Sequence, residues 1–252
     1  MKTFIAATFA SVAVAVWANS FSPVIGVTKI TATSQNTIIP IPYTSLTNSA
    51  NNVTLADLVR TTGLPKGTWL LAFDGDKYEA WTLKEDGGSW IPGTYASTNM
   101  GGTRVAPGAN TKEFAPGGAF WIVLPEPEEG ESINQTIYVY GSYSDEVKFT
   151  VPAGKTMLVA NPKQGAATPV VEGAVAKKDQ MVCIKSGVVT TYTYDGTVWG
   201  CWVTEKTDGK NYLKFSEGLP KLEVGEGFWY KSKKTNASEN EVVTINWTSV
   251  QD

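Results

Sequence analysis

Apolar positions in this chain come in short runs. Five to seven β-branched and aromatic residues at a time are bounded by Gly, Pro, Asn and Asp, the pattern of strands between turns. "TWLLAF" (68–73), "KYEAWTL" (77–83) and "SWIP" (89–92) read as a three-stranded meander with turns at Asp74-Gly75-Asp76 and Asp86-Gly87-Gly88. "QMVCIK" (180–185), "VVTTYTY" (188–194) and "VWGCWV" (198–203) repeat it, with turns at Ser186-Gly187 and Asp195-Gly196-Thr197. Asp-Gly pairs suit hairpins because glycine takes positive φ at no steric cost. The pattern breaks once, at "TLADLVRTT" (54–62), which predicts a short helix: Thr54 caps it, Leu55, Leu58 and Val59 share a face, and Gly63 and Pro65 end it. A weaker counterpart lies around Pro169 to Lys177, interrupted by Gly173.

The meanders belong to a longer duplication. "FAPGGAFWIV" (114–123) aligns with "LEVGEGFWYK" (222–231), placing Phe120 on Phe228 and Trp121 on Trp229. Upstream, "VTKITATSQNTIIPIP" (27–42) lies on "VKFTVPAGKTMLVANP" (147–162), and Trp90 falls on Trp199. Downstream, "TIYVYG" (136–141) matches "VVTINW" (242–247). The chain therefore reads as mostly β: two tandem antiparallel β-sandwich or barrel-like domains of about 110 residues, each large enough for its own core and each with at most one short helix. Two copies are too few for a solenoid. The seam lies at 142–145, giving domains 19–142 and 143–252. In each copy the Phe of the twin phrase is expected to fill the core, and Gly117 and Gly225 to turn the chain into that strand.

The first 18 residues stand outside this frame. One Lys, an apolar run from Phe4 to Trp17 and the small residues Val16 and Ala18 are the marks of a secretory signal peptide, 1–18, cleaved before Asn19. The run is too short for a membrane span, and no later window is long enough for one, so no span is expected after cleavage. The expected location is secreted, extracellular or at the cell surface.

Charge and composition remove whole classes of function. A net charge of −3 provides no basic footprint, so nucleic acid is not an expected partner. The chain has no histidine, which excludes Ser-His-Asp and Cys-His catalysis and imidazole-based metal sites. Carboxylate pairs, lysine-based chemistry and calcium remain, but the acidic groups at Asp74 and Asp76, Glu85 and Asp86, and Glu126 to Glu131 show the spacing of neither a carboxylate pair nor a calcium site. No catalytic, cofactor or metal residue is assigned.

"VPAGKTMLVANP" (151–162), "TTYTYDGTVW" (190–199) and "LEVGEGFWYK" (222–231) resemble a class of exported, largely uncharacterised bacterial tandem β-repeat proteins marked by PAGxxLxANP, TYTYDG and GEGFW phrases. The resemblance covers most of the chain after the leader, more loosely in the first copy, which has "IIPIP" for "LVANP". It implies export and a β-repeat fold and carries no activity with it.

Two features bear on function. The nine Trp include several near the hairpins, and Trp81, Trp90, Tyr192, Tyr194, Trp199 and Trp202 form a candidate sugar-stacking platform. Against it stands the ordinary reading of such rings as core and cross-strand ladders. In "VVTTYTY", Tyr192 and Tyr194 share one face and Thr191 and Thr193 the other, and the tyrosines are expected to point inward. Cys183 and Cys201 are an even pair in an oxidising compartment, which favours a disulfide. The meander places them on strands one and three, about 9–10 Å apart and beyond the roughly 7 Å Cα limit. The two inferences conflict; the disulfide is retained as the expectation.

Two functions fit. One is a non-enzymatic structural, adhesive or self-assembling surface protein whose partners are itself or other surface proteins. The alternative is a carbohydrate-binding protein using the hairpin aromatics.

Overall fold

The computed structural model describes residues 25–46, 52–58, 64–85, 87–96, 104–142, 147–163, 165–185, 188–208, 210–224, 226–238 and 240–249. The expected signal peptide, Gly225, and the Asp86 and Ser186-Gly187 turn positions lie outside them. The protein is nearly all β. In the first half the strands are β1 (Ile25–Ala32), β2 (Asn36–Pro40), β3 (Val53–Thr54), β4 (Trp69–Phe73), β5 (Tyr78–Leu83), β6 (Trp90–Pro92), β7 (Tyr95–Ala96), β8 (Arg104–Pro107), β9 (Glu113–Phe114), β10 (Ala119–Val123) and β11 (Gln135–Ser142). In the second half they are β12 (Phe149–Pro152), β13 (Thr156–Ala160), β14 (Ala167–Gly173), β15 (Gln180–Lys185), β16 (Val188–Tyr194), β17 (Trp199–Thr207), β18 (Lys210–Glu217), β19 (Gly227–Lys231) and β20 (Val242–Ser249). One helix, α1 (Leu55–Leu58), is described.

Strand order repeats. The first large sheet runs β2-β10-β4-β5, with β6 on β5, and the second runs β13-β19-β15-β16-β17. The meanders sit where the alternating runs place them, and each twin phrase is the strand between the early strand and the first meander strand. Register repeats as well: Leu83 opposes Trp90 as Tyr194 opposes Trp199. A smaller sheet packs over each large one, β1-β11 in the first half and β12-β20-β14 in the second. The pairing is antiparallel except between β5 and β8, which run parallel over two residue pairs.

Alternation along these strands builds two separate cores. Phe120 and Phe228 are each 1% exposed, one in a cluster with Ile39, Leu70, Trp81, Ile122 and Ile137, the other with Val159, Met181, Tyr230, Val243 and Ile245. Full burial of such a ring is worth about 1.5–3 kcal/mol. Gly117 precedes the first twin strand with φ +83°, a conformation that disfavours any side chain. Asp179, fully buried, ties down the second core by accepting hydrogen bonds from Tyr230 Oη (2.7 Å), the backbone N–H of Lys233 (2.5 Å) and that of Ala176 (3.0 Å).

Thr54 caps α1 through a 3.3 Å bond to the Asp57 N–H, and Asp57 Oδ2 returns to the Thr54 N–H at 3.0 Å. Residues 59–62 of the expected helix lie outside the described residues. Its counterpart is a correction: 167–173 is a strand, β14, paired to β20. The β-branched Val170 and Val171 suit that role, and Pro169 is tolerated because β14 is the edge of its sheet. No helix among the described residues is long and apolar enough to cross a membrane.

Candidate functional site

The six aromatics singled out in the sequence do not converge. Trp81 is fully enclosed, with its indole N–H donating to Ala109 O at 3.2 Å, and Trp90 is 6% exposed; both belong to the first core. Tyr192 and Trp199 pack against the second core, Tyr194 lies 5.5 Å from Trp199, and Trp199 lies 6.0 Å from Tyr230. Trp202 points to the other face of the sheet and is 66% exposed. Rings on opposite faces and inside different cores cannot stack on one ligand.

Both thiols are free and buried, which corrects the disulfide expectation. Cys183 opposes Thr190 and Cys201 opposes Tyr192, so β16 runs between them. Two strand spacings exceed the span of a disulfide. Burial, with smaller contributions from Glu226 and Cys201, pushes the Cys183 thiol up to about 12, so it stays protonated and unreactive.

The acidic groups mostly hold turns and ion pairs. Asp74 Oδ1 accepts from the N–H groups of Asp76 (3.0 Å) and Lys77 (2.9 Å), and Asp195 Oδ1 accepts from those of Thr197 (2.7 Å) and Val198 (2.9 Å). The same aspartate turn recurs in the two halves at different hairpins, closing β4–β5 in the first and β16–β17 in the second. The backbone donors Val198 and Thr197 hold the Asp195 carboxyl below its ordinary range. Asp76 pairs with Lys155 at 2.6 Å and Glu79 with Lys112 at 2.6 Å. Among the described residues no three acidic or cysteine side chains come together as a metal site.

What stands out instead is a hairpin. Beyond its pairing with β16 at Tyr192, Thr193 and Tyr194, β17 runs on with β18 as a two-stranded ribbon. Along one face of the ribbon Trp202 opposes Phe215 and Thr204 opposes Leu213, and the Trp202 and Phe215 rings meet edge to face at 5.4 Å. Gly200 lets Phe215 lie down on the sheet, since a Cβ there would sit 2.6 Å from the ring. Leu213 is 73% exposed and Tyr212 53%, while Val188 and Val189, on the neighbouring β16, are 63% and 61% exposed. The sequence offered a signal for β18, the Asp208-Gly209-Lys210 turn leading into the alternating "NYLKFSE"; Asp208 has the positive φ, 51°, that such a turn requires.

A second feature is the seam between the halves. Trp229 meets Phe73 at 5.3 Å and Tyr78 at 6.0 Å, both edge to face, and Asp76 reaches across to Lys155. Gly118 bridges Val159 at the sheet edges. Beside this contact a cleft of about 580 Å³ opens over Trp121, with Asn36, Thr37 and Glu226 on its walls.

Compared with known proteins, the chain matches no family model, no curated protein and no solved structure.

Proposed function

We propose that this chain is a non-enzymatic protein of the cell exterior, delivered by its leader and built of two β domains that act as a structural, adhesive or assembly module. The observation that carries this reading is the β17–β18 hairpin, where Trp202, Tyr212 and Leu213 stand in water at an open sheet edge. Apolar edges of this kind are what soluble proteins ordinarily cover, shorten or charge, and where left open they mark association. The absence of histidine supports the non-enzymatic part, as does the use of Asp74, Asp76, Glu79 and Asp195 in turns and ion pairs.

A glycan array together with light scattering on residues 19–252 tests the proposal. Self-association without glycan binding is the expected result; a monomer that binds a glycan stoichiometrically overturns it. Export is tested by intact mass, which is expected to begin at Asn19; material retaining Met1 to Ala18 defeats that part. The domain division predicts that 143–252 alone melts cooperatively.

The alternative, carbohydrate binding, gains support at a different place from the hairpin aromatics. The seam cleft sets one half-buried ring, Trp121, among the amide, hydroxyl and carboxylate groups of Asn36, Thr37 and Glu226, a mixture suited to a sugar ring. Trp121→Ala removes glycan retention if this reading holds.

A further inference from the structure

Natural edge strands are blunted by short length, proline, a bulge or a charge aimed across the edge. β18 is long, eight residues, contains no proline, and pairs with β17 residue for residue without a bulge. Of its lysines, Lys214 is paired with Glu205 at 2.9 Å, and by alternation both Lys210 and Lys214 lie on the face opposite Leu213. Its other edge meets no strand among the described residues. Its middle residue, Leu213, is the most exposed large hydrophobic side chain described.

We infer that β18 pairs antiparallel with β18 of a second copy of this chain, about a two-fold axis through Leu213. The inference rests on the assembly reading above and names its partner and register. Charge rules out the registers on either side of Leu213, and the apolar side chains favour the one centred on it. For two sheets to continue into one with like faces on the same side, the two-fold stands perpendicular to the sheet, and opposed residues then share the same face. Centred on Tyr212, the pairing sets Lys210 opposite Lys214 of the other copy, twice. Centred on Lys214, it sets that lysine opposite itself. Like charges directly opposed are destabilising. Centred on Leu213, no like charges are opposed: Leu213 meets Leu213, and Tyr212 meets Lys214 twice, an ammonium beside an aromatic ring. The same register joins Leu213, Phe215 and Trp202 of both copies into one apolar stripe.

One strand edge with its flanking side chains buries less than the roughly 1,200 Å² of a standard interface, so the association is weak and concentration-dependent. Sedimentation velocity over a concentration series is expected to show a reversible dimer. Leu213→Lys, which puts two ammonium groups at the axis, is expected to weaken it at least tenfold. Val189→Lys, also exposed but on β16, two strands from β18, is expected to leave it within about twofold. Leu213→Cys is expected to cross-link to itself with a short bis-thiol reagent, whereas Lys210→Cys, about 20 Å from its own copy at 3.3–3.4 Å per residue, is not. The native thiols are buried and do not compete. Self-association that survives Leu213→Lys, or that falls equally with Val189→Lys, overturns the edge pairing and leaves the assembly reading standing. A protein that stays monomeric at every concentration overturns both.

Discussion

The two halves share the strand order of their large sheets and part most widely after the third meander strand. In the first half β6 is only three residues long, and the chain then folds back: β8 pairs alongside β5, and Val105 joins Leu71, Ala80 and Val123 in a small cluster on the outer face of the sheet. The same return carries Gly108 and Ala109 over Trp81, which ends fully buried. In the second half β17 runs nine residues and continues into β18, away from the sheet. Tyr192, the counterpart of Trp81, is left half-buried, and Val189, the counterpart of Tyr78, is 61% exposed. One framework thus yields a closed half and an open half, and a single connection makes the difference.

The shared part of that comparison predicts the largest effects. Phe120→Ala and Phe228→Ala are each expected to cost about 3–5 kcal/mol, because both rings are buried in equivalent core strands. Chemical denaturation of the two variants checks this, and a loss at only one site breaks the equivalence. The differing part predicts unequal losses: about 3–5 kcal/mol for Trp81→Ala and about 1–2 kcal/mol for Tyr192→Ala, in proportion to burial. Equal losses would show that the open half is closed in solution.

Smaller effects sharpen the picture at the seam and the turns. Asp76→Ala removes the exposed ion pair to Lys155 and is expected to cost no more than about 1 kcal/mol, measured by thermal melting. Asp195→Asn keeps the turn's acceptor and removes its charge. Because backbone donors lower the folded pKa of Asp195, its ionic contribution is present above the ordinary carboxylate value and is lost as pH falls through the lowered one. The melting temperatures of the wild type and Asp195→Asn are therefore expected to differ at neutral pH and to converge below about pH 4. A gap that widens in acid would reverse the assignment.

The meander strands, the turns at Asp74 and Asp195 and the twice-written Phe-Trp strand were legible along the chain. Those signals are local: β-branched and aromatic runs, Asp-Gly turns closed by the aspartate's own side chain, and the Phe-Trp phrase written twice. The shared face of Tyr192 and Tyr194 was legible too, since side chains alternate along any strand. Which aromatics meet water was settled only by folding. Trp81, Trp90 and Trp202 look alike in sequence, yet Trp81 is covered by Gly108 and Ala109, Trp90 is buried in the first core and Trp202 is carried outward by a hairpin. Folding also set Cys183 and Cys201 two strands apart, and placed 167–173 in a sheet where the first half has a helix. Exposure, partner strand and edge position depend on residues distant in the chain, and no local pattern records where those residues fold.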